Sequence, residues 1–333
     1  MDTLSTLLSD VRIRDARFIR TQFDVDGHLI VRDAKQPCYH IVTKGALWLT
    51  PGPGLAPIEM LAGDIAFFPQ GQAHSLSGQN TPIPAVGQHL LADLTAQAAT
   101  PGYVLPLPAQ TPNMHRLAYA GGSISGCMLI DGVADAWLWG ALPPYLLVRW
   151  RARKLPTWLQ IGLAYLDQEL DRDQLARQAI LNRLGDILFI QSIRSYVDGA
   201  GMGSRDTGNP PANGFLMALK DSMVSKVIGA MHREPAKAWT LQELSSVGCV
   251  SRSVLAERFA ELVGQPPLAY LTEHRMHLAA RRLKQSSMPI AEVARSVGYQ
   301  SGAAFAQAFK RTFDCSPRAF RNRLDCLRIE IMG

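Results

Sequence analysis

Trp239–Tyr270 reads WTLQELSSVGCVSRSVLAERFAELVGQPPLAY, and Ile290–Phe320 reads IAEVARSVGYQSGAAFAQAFKRTFDCSPRAF. The second stretch repeats the first. Leu241 and Leu244 answer to Ile290 and Val293 at an offset of 49, whereas Gly248, Ser251, Leu255, Phe259, Pro267 and Tyr270 answer to Gly298, Ser301, Phe305, Phe309, Pro317 and Phe320 at an offset of 50. In each copy the apolar residues recur at helical spacing on either side of a glycine. Thr240 is an N-cap for a short helix with Leu241, Leu244 and Val247 on its apolar side, and Gly248 is the expected left-handed stop. A second helix starts from Ser251, with Val254, Leu255, Arg258 by its stem, Phe259 and Leu262 inward and Ser253, Ala256, Glu257 and Ala260 outward. The later copy places Ile290, Val293, Ala294 and Val297 on its first helix and Gly298 at the turn. Ser301 is its cap, Ala304, Phe305, Ala308, Phe309 and Phe313 face inward, and Gly302, Ala303, Ala306, Gln307 and Lys310 face outward. Two helices joined by a short glycine-containing turn, the second presented outward, form a helix-turn-helix. Two such units in one chain point to a protein that reads duplex DNA.

Charge supports that reading. From Phe215 onward there are 17 basic and 10 acidic residues, and the first 214 residues hold 17 and 18. The positive excess belongs to the part carrying the repeat, as phosphate binding requires. With 333 residues, 47% hydrophobic and 19% charged, the chain is long enough for two domains with substantial cores. Five scattered cysteines without a CxxC pair argue against a disulfide framework or a zinc ribbon. The N-terminus, MDTLSTLLSDVRIRD, carries acidic residues, and no run of about 18 apolar residues occurs, so a cytoplasmic protein without membrane contact is expected.

Residues 200–214, AGMGSRDTGNPPANG, read as a linker. Upstream, residues 16–110 alternate short apolar runs with Gly and Pro, the pattern of an antiparallel barrel or jelly roll. Residues 156–197 change to helical period, predicting a helix pair that either serves as a dimer interface or covers the open side of the barrel. The expected architecture is α+β, with an N-terminal β-barrel and a helix pair followed by an all-α double helix-turn-helix. Its boundaries are 1–150 for sensing, 151–199 for helical dimerisation, 200–214 for the linker and 215–333 for DNA binding.

The repeat, with YLTEHRMHLAARRL between its halves, resembles the AraC/XylS-type DNA-binding domain over roughly the last third of the chain. The resemblance implies that one long helix ties the two units, so that both recognition helices reach successive major grooves. It also implies base contacts from Ser253, Ala256 and Glu257 in the first unit and Gly302, Ala303 and Gln307 in the second. Glu257 can accept from cytosine N4 and Gln307 can pair with adenine, while Ala256 and Ala303 offer only methyls. Ser251, Ser301, Arg252, Lys310 and Arg311 are left to hold phosphates. The plainer alternative is that some of these positions are simply solvated.

Gly63–His74, GDIAFFPQGQAH, is similar to the second cupin motif, and YHIVTKG retains only the terminal Gly45 of the first, with Cys38 where a glutamate is usual. The resemblance implies a cupin-like barrel that binds a small effector. Strand alternation puts Cys38 and His40 on one face, so with His74 they line one pocket, which His89 joins if its strand lies alongside. These side chains form either a ligand set for zinc or another divalent ion or part of an organic-ligand site. A buried histidine satisfied by a backbone carbonyl is the bland reading. The layout as a whole is similar to cupin-type AraC regulators, some of which sense reactive chlorine species through cysteines, although no second cysteine stands near Cys38 in sequence. The expected function is therefore a non-enzymic, effector-controlled regulator. It is a homodimer on promoter half-sites, and an activator that works with RNA polymerase. The alternatives are a redox or metal sensor using Cys38, His40 and His74, a regulator controlled by abundance alone, and a cupin oxygenase fused to DNA-binding helices.

Overall fold

The computed structural model describes residues 3–8, 11–32, 34, 36–80, 104–107, 119–131, 142–149, 156–199 and 218–322. The expected linker, His89 and Cys326 lie outside them. The chain forms two compact units, one of Arg12–Ile130 with Leu142–Ala212 and the other of Met1–Val11, Asp131–Ala141 and Asn213–Gly333. Among the described residues no helix is long and apolar enough to cross a membrane.

The first unit is built on a nine-stranded sheet. Its strands are β1 (Arg12–Asp24), β2 (His28–Val31), β3 (Cys38–Thr50), β4 (Ile58–Leu61), β5 (Ile65–Phe68), β6 (His74–Ser77), β7 (Val104–Leu107), β8 (Tyr119–Asp131) and β9 (Leu146–Val148). They run in the order β2-β6-β3-β8-β1-β7, with β4 and β5 also on β3, and β9 on β5. Strand β3 organises the sheet. Its first half pairs with β5 and β8, its register shifts between Val42 and Lys44, and its second half pairs with β4 and β6. Gly45 sits just past that shift with φ +70°, where a Cβ would lie 2.2 Å from the Ala120 carbonyl oxygen. The cupin-like segment is legible in the same terms. Gly63 (φ +94°) turns β4 into β5, the Asp64 carboxylate accepts from Leu61 N at 3.0 Å, and Gly71 (φ +63°) crosses tightly over Gln36 before β6.

Among the described residues the sheet is not closed, which corrects the expected barrel. A barrel needs its two edge strands to pair, whereas this order ends on β2 and β7. Helix α3 (Arg177–Gly199), the longer partner of α2 (Thr157–Asp171), lies along the start of β1. Asp186 accepts from Ile13 N at 2.8 Å, Asn182 accepts from Ala16 N at 2.9 Å, and Gln178 donates to Ala16 O at 2.9 Å. The start of β1, kinked at Asp15 (φ 49°), thus satisfies part of its backbone with helix side chains. Gly185 lets the helix lie close, a Cβ there being 3.2 Å from Ile13. Leu181, Leu188, Phe189 and Ile193 are buried, with Phe189 edge-on to Phe67, which stacks on Tyr39.

The second unit is helical: α1 (Thr3–Leu8), α4 (Ser222–Arg233), α5 (Leu241–Gly248), α6 (Arg252–Val263), α7 (Pro267–Gln285), α8 (Ile290–Ser296) and α9 (Gly302–Phe313). The all-α double helix-turn-helix forms as the periodicity predicts. Helix α1 packs on α4, Thr3 donating to Ser225 O at 2.8 Å. Helix α7 ties the two helix-turn-helix copies within this unit. Its Met276, Ala279, Ala280 and Leu283 share a core with Val293, Ala294, Val297, Phe305, Ala308 and Phe309 of the later copy.

Candidate nucleic-acid interface and sensing core

Both recognition helices, α6 and α9, start from a serine cap. Ser251 Oγ accepts from Val254 N at 3.3 Å and Ser301 Oγ from Ala304 N at 3.4 Å. Their buried stripes are Leu255 and Phe259 in α6, and Phe305, Ala308 and Phe309 in α9. Ser251, Arg252, Ser253 and Glu257 are exposed, as are Ser301, Gly302, Ala303, Gln307, Lys310 and Arg311, and Ala256 is half-buried. All eleven positions singled out in the sequence therefore lie on or beside the uncovered side of their helices. Three residues expected inside are out, Arg258 among them, its stem drawn to Asp221 and Glu261 at the surface. Val254 is 48% exposed and Ala304 is exposed, because each stands in the first helical turn, one residue and about 100° before the buried Leu255 or Phe305.

The turns also differ from expectation. Val250 N bonds to Ser245 O and Cys249 N to Ser246 O, and in the second unit Tyr299 N bonds to Ala294 O and Gly298 N to Arg295 O. This is one Schellman-type closure repeated at an offset of 49. The left-handed residue in the first unit is thus Cys249 (φ 56°), not Gly248, and its true counterpart is Gly298 (φ +88°). The extra residue in the second unit is Gln300, between the turn and the cap. Gly248 is helical and small for another reason: a Cβ would stand 2.9 Å from Met223.

Electrostatics fix one flank of α6. Asp221 caps α4 through Met223 N and Val224 N and also takes Arg258 at 3.2 Å, which holds its carboxyl below the usual range despite partial burial. Arg258 also meets Glu261 at 2.8 Å. That guanidinium is committed within the protein, which leaves Arg252 as the exposed cation at the amino end of α6.

In the sheet unit, His40 Nε2 and His74 Nε2 are 2.7 Å apart. His74 Nδ1 lies 2.6 Å from Gln72 O and therefore carries the proton that it donates there, so its Nε2 accepts from His40. His40 Nδ1 then accepts from Ser125 Oγ at 2.8 Å, and the chain runs on through Ser123 Oγ (3.0 Å) to Thr21 Oγ1 (2.6 Å). Burial pushes both imidazoles down, His74 to about 4 and His40, also beside His74, well below the usual histidine range, so both are neutral near pH 7. His74 stacks flat on Phe68 at 3.6 Å.

Cys38 shares the face of His40, as strand parity requires, but its thiol donates to Gln36 O at 3.3 Å. Among the described residues no three His, Cys, Asp or Glu side chains converge as a metal site. Two imidazoles fall short of the three or four protein ligands that zinc takes. Parity could not show that Cys38 faces Cys127 across the β3–β8 ladder, because that pairing depends on strands far apart in sequence. A groove of about 290 Å³ lies between α2 and α3, lined by Trp158, Ile161, Gly162, Tyr165, Leu184 and Ile187 among others. Ile161 (62% exposed), Tyr165 and Ile187 form its rims.

Two family models match the chain, a cupin over residues 2–198 and a helix-turn-helix domain over residues 244–323. The HTH-type transcriptional regulator AlkR of Acinetobacter baylyi is 32% identical over 330 residues, 97% of this chain and all of that one. The RCS-specific HTH-type transcriptional activator RclR of Escherichia coli is 28% identical over 229 residues, 67% of this chain and 76% of that one. Among solved structures, a DNA-binding transcriptional dual regulator from Escherichia coli K-12 is 28% identical, with a TM-score of 0.29, over 30% of this chain and 96% of that one. With its cupin-type first unit and doubled helix-turn-helix, the chain belongs to the AraC/XylS family of transcriptional regulators.

Proposed function

We propose that this regulator is a cytoplasmic, non-enzymic, effector-controlled activator. It binds promoter half-sites as a homodimer and recruits RNA polymerase. The observation that carries effector control is the polar chain Thr21–Ser123–Ser125–His40–His74–Gln72, set in an otherwise apolar core. A buried network of this kind is stable only while every member is satisfied. A small hydrogen-bonding organic ligand that enters between the two Nε2 atoms replaces one internal bond with two of its own. It thereby moves β3 relative to β6. The similarity to the Escherichia coli transcriptional activator RclR supports the direction of control.

Dimerisation is supported by the α2–α3 groove. Helix α2 carries a ridge, Ile161 and Tyr165, next to a notch at Gly162, where a Cβ would meet nothing within 4 Å. A two-fold interface needs such self-complementarity. The experiment for effector control is a thermal-shift screen of small polar organic compounds on wild type and on His40→Phe. Hits that raise the melting temperature and alter affinity for a selected operator in wild type alone support the His40–His74 site. Hits that act equally on both proteins place the effector elsewhere.

A further inference from the structure

Cys38 and Cys127 are 89 residues apart in sequence and face each other in the antiparallel β3–β8 ladder. Met128 N donates to Pro37 O at 3.1 Å, the bond that flanks Cys38 and Cys127 on one side. Residues enclosed in this way form a non-hydrogen-bonded pair, in which the Cα atoms come within about 4.5 Å and the side chains are at their closest. That separation is at the near end of the range that disulfides span. Both residues are reduced thiols in the same apolar cluster, Cys38 fully buried and Cys127 4% exposed. The next non-hydrogen-bonded pair along the ladder, on the same face, is His40 and Ser125.

We propose that Cys38 and Cys127 form a reversible cross-strand disulfide, a two-electron modification site in the centre of the sheet. The oxidant is hydrogen peroxide, small and uncharged, since a charged or bulky disulfide has no path to buried thiols. Cys127, the one solvent reaches, loses its proton and attacks the peroxide oxygen. One O–O bond breaks, water leaves and a sulfenic acid remains. The Cys38 thiol then attacks the Cys127 sulfur, the S–S bond forms, and the departing hydroxide takes the Cys38 proton as a second water. Two thiols lose two electrons and two protons, and the peroxide becomes two waters. Burial raises the Cys38 thiol far above its ordinary range, so the pair reacts slowly and reports sustained rather than passing oxidation. A bond at this position pulls on the ladder beside the His40–Ser125 contact. The proposal is independent of effector binding, because its readout is a covalent bond.

The test uses the full chain carrying Cys249→Ser, Cys315→Ser and Cys326→Ser, treated with hydrogen peroxide under native conditions and mapped by mass spectrometry. The expected result is a loss of about 2 Da with one cross-linked peptide pair containing Cys38 and Cys127, reversed by dithiothreitol and absent when Cys127→Ala is added. The rate should rise with pH, as the thiolate fraction does. Wild type, mapped in parallel, must show the same cross-link, which covers a background that folds poorly. The proposal is overturned if both thiols remain alkylatable after unfolding, or if only oxygen is added and no cross-link forms.

Discussion

The two helix-turn-helix units share one backbone plan and divide its chemistry differently. In the first, α5 begins in a capping box, Thr240 Oγ1 accepting from Glu243 N and the Glu243 carboxylate from Thr240 N. In the second, α8 begins after Pro289 with no side-chain cap. The first makes its turn with a left-handed cysteine and the second with a glycine against which Ala236 O packs. The first carries Arg252, Ser253 and Glu257 on its recognition helix, whereas the second opens on Gly302, Ala303 and Ala304 and reserves its longer side chains for Gln307, Lys310 and Arg311. A bare amino end lets backbone approach closely, and a charged one reaches outward. The same fold therefore presents two inequivalent reading surfaces.

The largest predicted contrast is in the cores. Phe309 touches Phe305, Phe313 and Phe320 at centroid distances of 5.7, 4.7 and 5.5 Å, whereas Phe259 has a ring contact with Tyr270 at 5.7 Å. Phe309→Ala should cost at the upper end of the range of about 3–5 kcal/mol, and Phe259→Ala at the lower end, in urea unfolding followed separately in each unit by amide exchange. Equal losses would mean that the aromatic cluster adds nothing to burial.

Next come the turns, where the signs oppose. Gly298→Ala should destabilise by about 1–3 kcal/mol, since the new Cβ would lie 2.6 Å from the Ala236 carbonyl oxygen at φ +88°. Cys249→Gly should stabilise by about 1 kcal/mol, because glycine adopts φ 56° freely. A destabilising Cys249→Gly would show that the thiol contributes packing that outweighs the backbone strain.

Acid should loosen the first unit before the second. His232 Nε2 lies 2.8 Å from Tyr270 Oη and its ring 3.7 Å from His274, and burial, then His274, holds it well below the usual histidine range. A histidine kept neutral in the folded state contributes its full stability above the unfolded value of about 6.5, and that stability is lost as pH falls below it. Amide protection in α4 and α5, taken relative to the intrinsic exchange rate at each pH, should therefore fall between pH 6.5 and 5 by up to about tenfold per pH unit, ahead of α9. Simultaneous loosening of α9 would remove the distinction. His40 and His74 give the sheet unit the same direction of acid sensitivity.

Local pattern made much of this legible. Helical periodicity, serine caps and glycine spacing located both units, and strand parity put His40 and Cys38 on one face. The left-handed residue was misplaced because Gly248 is the obvious stop, while the chain accepts the strain at Cys249 one residue later. Barrel closure was beyond reach, because it depends on whether β2 and β7, edge strands more than 70 residues apart, pair. The Cys38–Cys127 pairing was hidden for the same reason, since register between distant strands leaves no mark on either segment.

The central claim is that one chain reads DNA with two different surfaces. Selection of bound duplexes from a random pool, using wild type, Glu257→Ala and Gln307→Ala, tests it most directly. Wild type should select two blocks about one helical turn apart, and each variant should lose preference at about one base pair in its own block, a discrimination of about 1–3 kcal/mol, with the other block intact. Loss in the same block from both variants, or an equal weakening on every sequence, would contradict it.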